Sequence, residues 1–374
     1  MVNPRSLICF WGTGGAGVRF AHRIGLELAN SFGVENIALS LHADNPWVET
    51  SKNAGFDIGL MHGAKGYANR LSLMMSSLPR LLKLLSHVRK FKPDVMIVPM
   101  NFALAWPLAP LVARVARIPL IYVVHDAKPH PGDYAPLLQD FTQRGLIARA
   151  STLVALSSYV GENLRGSLVG KRRSMLTVIP LGKHIPRSVS SQPDLEPGPI
   201  RFLFLGRLLA YKGLDLLAEA VEGLAHRDDW RLTIAGNGRD RDFVIDRFSG
   251  IKQVDLAHVE WLLETEVDEL IRSHHVLICP YLEASQSGVI SEAAAMGMPA
   301  IVTPVGGLPE QVRHGAAGWI APTVTAADLG LLLEHIIDHP QERIARSAHA
   351  LESANSEPGT TGWGALVART IAAR

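Results

Sequence analysis

The chain has 374 residues, 47% of them apolar and 19% charged, with a formal net charge of +2. That balance excludes a disordered chain, and the charge is too weak to argue for nucleic acid as a partner. The length exceeds one comfortable core and predicts two domains of about 150–190 residues each. Cys9 and Cys279 lie in the apolar runs SLICFW and VLICPY. They read as buried strand residues in a reducing compartment, not as a disulfide or a metal pair. The apolar run at the N-terminus is too short for a signal peptide, and no run reaches the ~20 residues that cross a bilayer. The expected location is therefore the cytoplasm.

Strands and helices alternate from the start. SLICFW reads as a strand, followed by the turn GTGGAG, a helix near 18–30 and a strand over 36–42. A helix over 71–90 precedes the strand DVMIVP, and a helix over 103–115 precedes the strand PLIYVV, which ends at His125. A helix at 145–150, a strand at 152–157, a helix at 160–168 and the strand MLTVIP complete the first half. Continuous apolar strands separated by helices imply a parallel sheet covered on both faces. PRSVSSQPDLEPGP is rich in Pro and Ser and reads as a linker. The pattern then restarts, with strands at 201–205, 230–235, 276–279 and 300–303 and helices near 214–223, 266–273 and 291–296. The tail near 362–373 reads as helical. The predicted division is an N-terminal Rossmann-like domain over 1–186, a linker over 187–199, a second Rossmann-like domain over 200–355, and a C-terminal helix over 356–374 that packs back on the first domain.

Several residues carry candidate chemistry. Gly12 to Gly17 spell G-x-G-x-x-G between a strand and a helix, and Asp44 follows the second strand. This is the context of a dinucleotide fingerprint. The same glycines also suit a tight turn, or a loop of backbone donors facing a substrate. His125 and Asp126 stand at the carboxyl end of a strand, where open α/β sheets bind ligands. A histidine there is either a donor to a sugar hydroxyl or a satisfied structural residue; His130 reads as loop. Arg207 and Lys212 lie in a strand–GR…KG–helix context. A planar fork and a point charge can neutralise both phosphates of a diphosphate. Glu283 and Glu292 flank the turn ASQSG. A carboxylate can accept two bonds from a ribose diol, and the helix after Ser287 and Gly288 aims N–H groups at a phosphate. Asn237 and Gly238 read as a plain turn or the lining of a base pocket, and Gly306–Gly307 have the same status. Together these describe a pocket for a nucleotide carrying something on its diphosphate.

The stretches GRLLAYKGLDLL, LTIAGNGRD and PYLEASQSGVISEAAAMGMPAIVTPVGGLPE closely resemble the retaining glycosyltransferases of family 4. The Gly loop, VVHD, STLVALSSYV and VIPLGKHI extend the resemblance over nearly the whole chain, strongly over 207–310 and more loosely before Pro119. It implies the GT-B fold: two facing Rossmann-like α/β domains with an interdomain cleft. By position, Arg207 and Lys212 match the pair that binds the donor diphosphate. Glu292 matches the second glutamate of the family's Glu, seven residues, Glu pattern, which holds the ribose. His125 matches the histidine that contacts the donor sugar near the reacting carbon, and Gly14 and Gly15 match a loop near the phosphates and the acceptor. The first glutamate is missing, because Ala284 stands at its position. Either Glu283 takes the role, or backbone N–H groups around Ser287, Gly288 and Val289 hold the sugar and phosphate.

The resulting expectation is a retaining hexosyltransferase that uses a nucleoside-diphosphate sugar, with no metal and no cofactor. An NAD(P)-dependent oxidoreductase or epimerase using GTGGAG is the alternative from another class, and a non-catalytic sugar-nucleotide-binding protein a third reading. The helix Leu78–Lys92 sets Arg80, Lys83, Arg89, Lys90 and Lys92 among leucines, and Lys171, Arg172 and Arg173 form a second basic cluster. A basic amphipathic helix can lie on an anionic membrane or simply cover the sheet. A peripheral enzyme on the cytoplasmic membrane face, glycosylating a glycan or lipid-linked acceptor in surface polysaccharide or glycolipid synthesis, is the resulting expectation.

Overall fold

A computed structural model describes residues 3–13, 16–62, 70–102, 104–127, 136–168, 170, 175–181, 198–260, 262–355 and 362–373. Backbone contacts divide it into two units. The first runs through β1 (Ser6–Phe10), α1 (Ala16–Phe32), β2 (Ile37–His42), α2 (Val48–Asn53), β3 (Asp57–Met61), α3 (Arg70–Phe91), β4 (Val95–Val98), α4 (Ala105–Ala116), β5 (Leu120–Val124), α5 (Pro136–Arg149), β6 (Thr152–Ala155), α6 (Ser158–Ser167) and β7 (Leu176–Val178). Its strands form one parallel sheet in the order β3-β2-β1-β4-β5-β6-β7. Every residue of β1, β2, β4 and β5 is buried, which explains why β4 and β5 are unbroken apolar runs: helices cover both faces.

The second unit contains β8 (Ile200–Leu205), α7 (Leu214–Glu222), β9 (Trp230–Ala235), α8 (Arg241–Phe248), β10 (Val254–Asp255), α9 (Glu264–Ser273), β11 (Val276–Cys279), α10 (Gly288–Ala295), β12 (Ala300–Val302), α11 (Leu308–Gln311), β13 (Gly318–Ile320), α12 (Ala326–Asp338) and α13 (Pro340–Asn355). Its parallel sheet has the order β10-β9-β8-β11-β12-β13. A core built on Phe202, Phe204, Trp230, Phe248, Ile278 and Leu333 fills the space between sheet and helices. The Trp230 indole N–H donates to the Leu224 carbonyl at 3.0 Å, so its burial leaves no unmet donor. Finally α14 (Trp363–Ala372) returns to the first unit and packs on α1. There Thr370 and Thr152 share a hydroxyl hydrogen bond of 3.0 Å, and Trp363 meets Phe20 edge-on.

Both sheets are doubly wound, so each has one place where the strand order reverses. In the first it lies between β1 and β4, and in the second between β8 and β11. Loops leaving the carboxyl ends of such neighbouring strands diverge and open a crevice. The two Cys residues are buried in β1 and β11, as the sequence suggests.

Several elements differ from expectation. The strands β3, β10 and β13 and the helices α2, α8, α11, α12 and α13 are additional. β10 and β13 have only two and three residues, too few for a period-2 pattern to show. By contrast α12 places Leu329, Leu333, Ile336 and Ile337 on one buried face, a spacing that is legible in the sequence. The helix expected at 145–150 is the last part of the longer α5.

One expected surface residue is internal. Arg80 is 2% exposed; its Nε donates to the His62 carbonyl at 2.9 Å, and its guanidinium lies 5.9 Å from the Trp11 ring. At helical spacing Arg80 shares its face with Leu84, His87 and Phe91, all buried. The basic surface of α3 is therefore carried by Lys83, Arg89 and Lys90, with Lys92 just beyond the helix. Lys171, Arg172 and Arg173, His130 and most of the expected linker lie outside the described residues.

Candidate functional site

In the second unit the loop after β8 carries both candidate cations. Arg207 is exposed and follows Gly206; Lys212 ends a short 3-10 turn, Ala210–Lys212, just before α7. The pair therefore occupies the loop ahead of the helix and not its first turn. Arg207 donates to the Tyr211 hydroxyl at 3.0 Å. The Lys212 ammonium stands 3.6 Å from the centroid of the Tyr281 ring and 5.1 Å from that of Tyr211. Tyr211 of the same loop and Tyr281 of the loop after β11 thus contact the two cations.

The loop after β11 supplies the other side. Tyr281 is buried, and burial raises its phenol pKa well above the usual value, so the ring stays neutral. Its hydroxyl bonds the Ser287 hydroxyl at 3.1 Å, while its carbonyl accepts from Thr303 Oγ1 at 2.5 Å. Ser287 is the N-cap residue of α10, yet its side chain makes no capping bond. Gln311 brackets its peptide instead: Oε1 accepts from the Ser287 N–H at 2.7 Å and Nε2 donates to its carbonyl at 2.9 Å. Ile290, Ala293 and Ala295 of α10 are buried. Glu292 stands in its second turn, partly buried. A start of helix presented by a fixed peptide is an anion-binding element.

Glycines let these loops approach one another. A Cβ on Gly213, whose φ is +71°, would sit 1.8 Å from the Pro280 carbonyl oxygen. One on Gly238 would sit 2.2 Å from the Leu208 oxygen. Backbone bonds close the same contacts, from Leu282 N–H to the Tyr211 carbonyl at 2.8 Å and from Leu208 N–H to the Asn237 carbonyl at 3.0 Å. Asn237 and Gly238 therefore buttress the Arg207 loop, and the Asn237 amide oxygen accepts from Gly238 N–H at 2.7 Å. Gly288 and Val289 form the first turn of α10, and Gly306–Gly307 lead into α11. Glu283 is exposed, while Ala284, where the family pattern has glutamate, is 5% exposed and part of the core.

In the first unit His125 closes β5. Its Nε2–H donates to the Pro99 carbonyl at 2.8 Å, at the end of β4, and Phe20 of α1 packs edge-on against the ring. Burial lowers its pKa, against a smaller opposing effect of Asp126, so the imidazole is neutral at pH 7 with its proton on Nε2. Gly12 and Gly17 both face Phe10, whose ring would lie 2.4 and 2.5 Å from an added Cβ. Asp44 is exposed beside His42. Gly14 and Gly15 lie outside the described residues. Tyr211, Tyr281 and Gln311 were not singled out by the sequence. Tyr211, four residues after Arg207, carried a signal; Gln311, 24 residues from Ser287, carried none.

The model of "Glycosyl transferases group 1" matches residues 199–339, and that of the "Glycosyl transferase 4-like domain" matches residues 14–182. By these two matches the chain belongs to the glycosyl transferases, and its second unit matches group 1. Curated relatives of this glycosyl transferase include the glycogen synthase of Mycobacterium tuberculosis, 27% identical over 276 residues, which are 71% of this chain and 66% of the relative. The D-inositol 3-phosphate glycosyltransferase of Pseudarthrobacter chlorophenolicus is 29% identical over 184 residues, 47% of this chain and 43% of the relative. The matched stretches thus span less than two-thirds of these relatives' own length. Among solved structures, Anabaena HepE in complex with UDP and glucose superposes with a TM-score of 0.73 over 99% of this chain and 100% of its own, at 16% identity. At that identity the likeness is one of fold, two parallel-sheet α/β units of the GT-B type. Family membership favours the transferase reading over a dinucleotide oxidoreductase built on Gly12–Gly17 and Asp44.

Proposed function

We propose that this protein transfers a hexose from a nucleoside-diphosphate sugar to an acceptor hydroxyl with retention of anomeric configuration. The observation that carries this reading is the contact of Lys212 with Tyr281, whose hydroxyl meets Ser287 at the start of α10, with Arg207 on the same loop as Lys212 bonded to Tyr211, where the strand order reverses. Cations close to a helix N-terminus would suit a diphosphate leaving group. HepE, with the same fold, has been solved with UDP-glucose, which agrees with a donor of this class. In the reaction the acceptor oxygen bonds to the anomeric carbon as the bond to the phosphate oxygen breaks. The acceptor proton passes to the departing phosphate, on the face it leaves, so configuration is retained. Arg207 and Lys212 stabilise the charge that develops there without a metal. Glu292 holds the ribose, with Gly288 and Val289 offering backbone donors; the Ser287 N–H is already taken by Gln311. Asn237, Gly238 and Glu283 belong to the donor side, and Gly14 and Gly15 to the phosphates and acceptor. By its match to the family, neutral His125 orients the donor sugar.

A thermal-shift screen against UDP-, GDP-, ADP- and TDP-sugars tests the reading. One of them at about 100 times its Kd stabilises the fold by about 2.7 kcal/mol through mass action. The shift and the transfer of sugar persist after exhaustive chelation. A panel with no stabilising member removes the donor assignment, a strict divalent requirement removes the metal-free step, and binding without transfer or hydrolysis leaves a binding protein.

We further propose that the enzyme works at an anionic membrane surface on a glycan or lipid-linked acceptor, in polysaccharide or glycolipid synthesis. α3 and the neighbouring α4 contain no Asp or Glu. Leu78 and Leu82 are 61% and 59% exposed, next to the exposed Lys83, Arg89 and Lys90, and α4 exposes Leu111 and Val115. Apolar insertion and charge attraction then act on one face. The protein should sediment with phosphatidylglycerol vesicles at low salt and be released at high salt, while L78S/L82S stays in the supernatant. Equal behaviour of wild type and variant, or no sedimentation, ends the membrane proposal. No helix among the described residues is long and apolar enough to span a bilayer.

A further inference from the structure

We propose that Tyr281 is a positioning residue of this site, whose ring supports the Lys212 ammonium and whose hydroxyl ties that support to Ser287 at the start of α10. The inference rests on the assignment of Lys212 to the donor diphosphate. A lysine ammonium ends a flexible four-carbon stem, and holding it in one place costs rotamer entropy. Left unsupported, it would sample solvent and meet the phosphate only part of the time. Here Nζ lies 3.6 Å from the Tyr281 centroid, well inside the ~6 Å reach of a cation–π contact. The ring cannot yield: it is 1% exposed. Its carbonyl is held by Thr303, and its hydroxyl bonds Ser287. Ser287 is itself clamped by Gln311. A rigid chain of contacts therefore runs from the ammonium to the helix start, so the two anion-binding elements keep a set spacing. The second ring, Tyr211, stands 5.1 Å from the same ammonium and takes the Arg207 hydrogen bond. Each cation thus contacts a neutral aromatic side chain.

Phenylalanine and progressively ring-fluorinated phenylalanines at position 281 test this, because fluorine drains the ring face of negative potential with little change of shape. Binding of UDP and of inorganic pyrophosphate is measured by calorimetry, kcat/KM alongside, in the wild-type and K212M backgrounds. Melting temperatures check that each variant is folded. With Lys212 present, affinity and kcat/KM fall stepwise along the series, in total about 3- to 30-fold, the factor a partly desolvated cation–π contact is worth. With methionine at 212 the series is flat. Equal losses in both backgrounds make the ring mere packing and overturn the proposal, as does a flat series in both when K212M alone weakens binding. If K212M leaves pyrophosphate binding intact, the diphosphate assignment itself falls, and this inference with it.

Discussion

Replacement of Arg207 or Lys212 by alanine is expected to lower kcat/KM for sugar transfer by at least about 10²-fold, the scale of removing one preorganised donor from a developing charge. Neither residue is part of the core: Arg207 is exposed and Lys212 partly buried, so the fold should survive both changes with melting temperatures close to wild type. The loss should fall mainly on kcat, because the departing diphosphate gains charge only as the glycosidic bond breaks. R207K should recover little of the activity, since an ammonium cannot span two phosphate oxygens as a guanidinium does. Steady-state kinetics with the donor found by thermal shift decides the matter. Wild-type rates in both R207A and K212A would falsify the diphosphate assignment.

The largest expected effect on stability is at Gly213. Its φ of +71° is a conformation that L side chains rarely adopt, and a Cβ there would lie 1.8 Å from the Pro280 carbonyl oxygen. That oxygen belongs to backbone, which cannot rotate away, so the loop after β8 must separate from the loop after β11. Left-handed strain and overpacking together cost about 2–4 kcal/mol, or about 5–15 °C in Tm for a unit of this size. Because Tyr281 follows Pro280, G213A should also weaken donor binding. Gly250 is the control. It has open space around it and an ordinary φ, so G250A should stay within about 0.5 kcal/mol of wild type. Chemical denaturation of the two variants settles the comparison, and equal stabilities would show that the two loops part without cost.

What could be read in advance followed from local signals. Arg207 and Lys212 stand out as candidates because a strand, a Gly turn and a helix surround them, and Ser287 because it precedes a small-residue helix. Their supports were not. Tyr281 looks like any strand-end aromatic until β11 is known to lie beside β8. Gln311 reaches Ser287 only because β12 is next to β11. Arg80 was misplaced for a related reason: counting cations along Leu78–Lys92 ignores their angle around the helix, and that angle puts Arg80 with Leu84 and Phe91. Glu283 and Ala284 show the same limit, since one-residue spacing in a turn does not reveal that the first is exposed and the second enclosed.

The amino-acid order alone thus determined the alternation of buried strands and covering helices, and with it two doubly wound α/β units. Burial on both faces imposes an apolar run that needs no partner to be visible. Tertiary structure alone decided which strands are neighbours and hence which distant side chains meet. The ring beneath Lys212, the amide clamp on Ser287 and the buried guanidinium of Arg80 depend on pairings between segments far apart in the chain. Such pairings are set by the packing of whole elements, and no local periodicity encodes them.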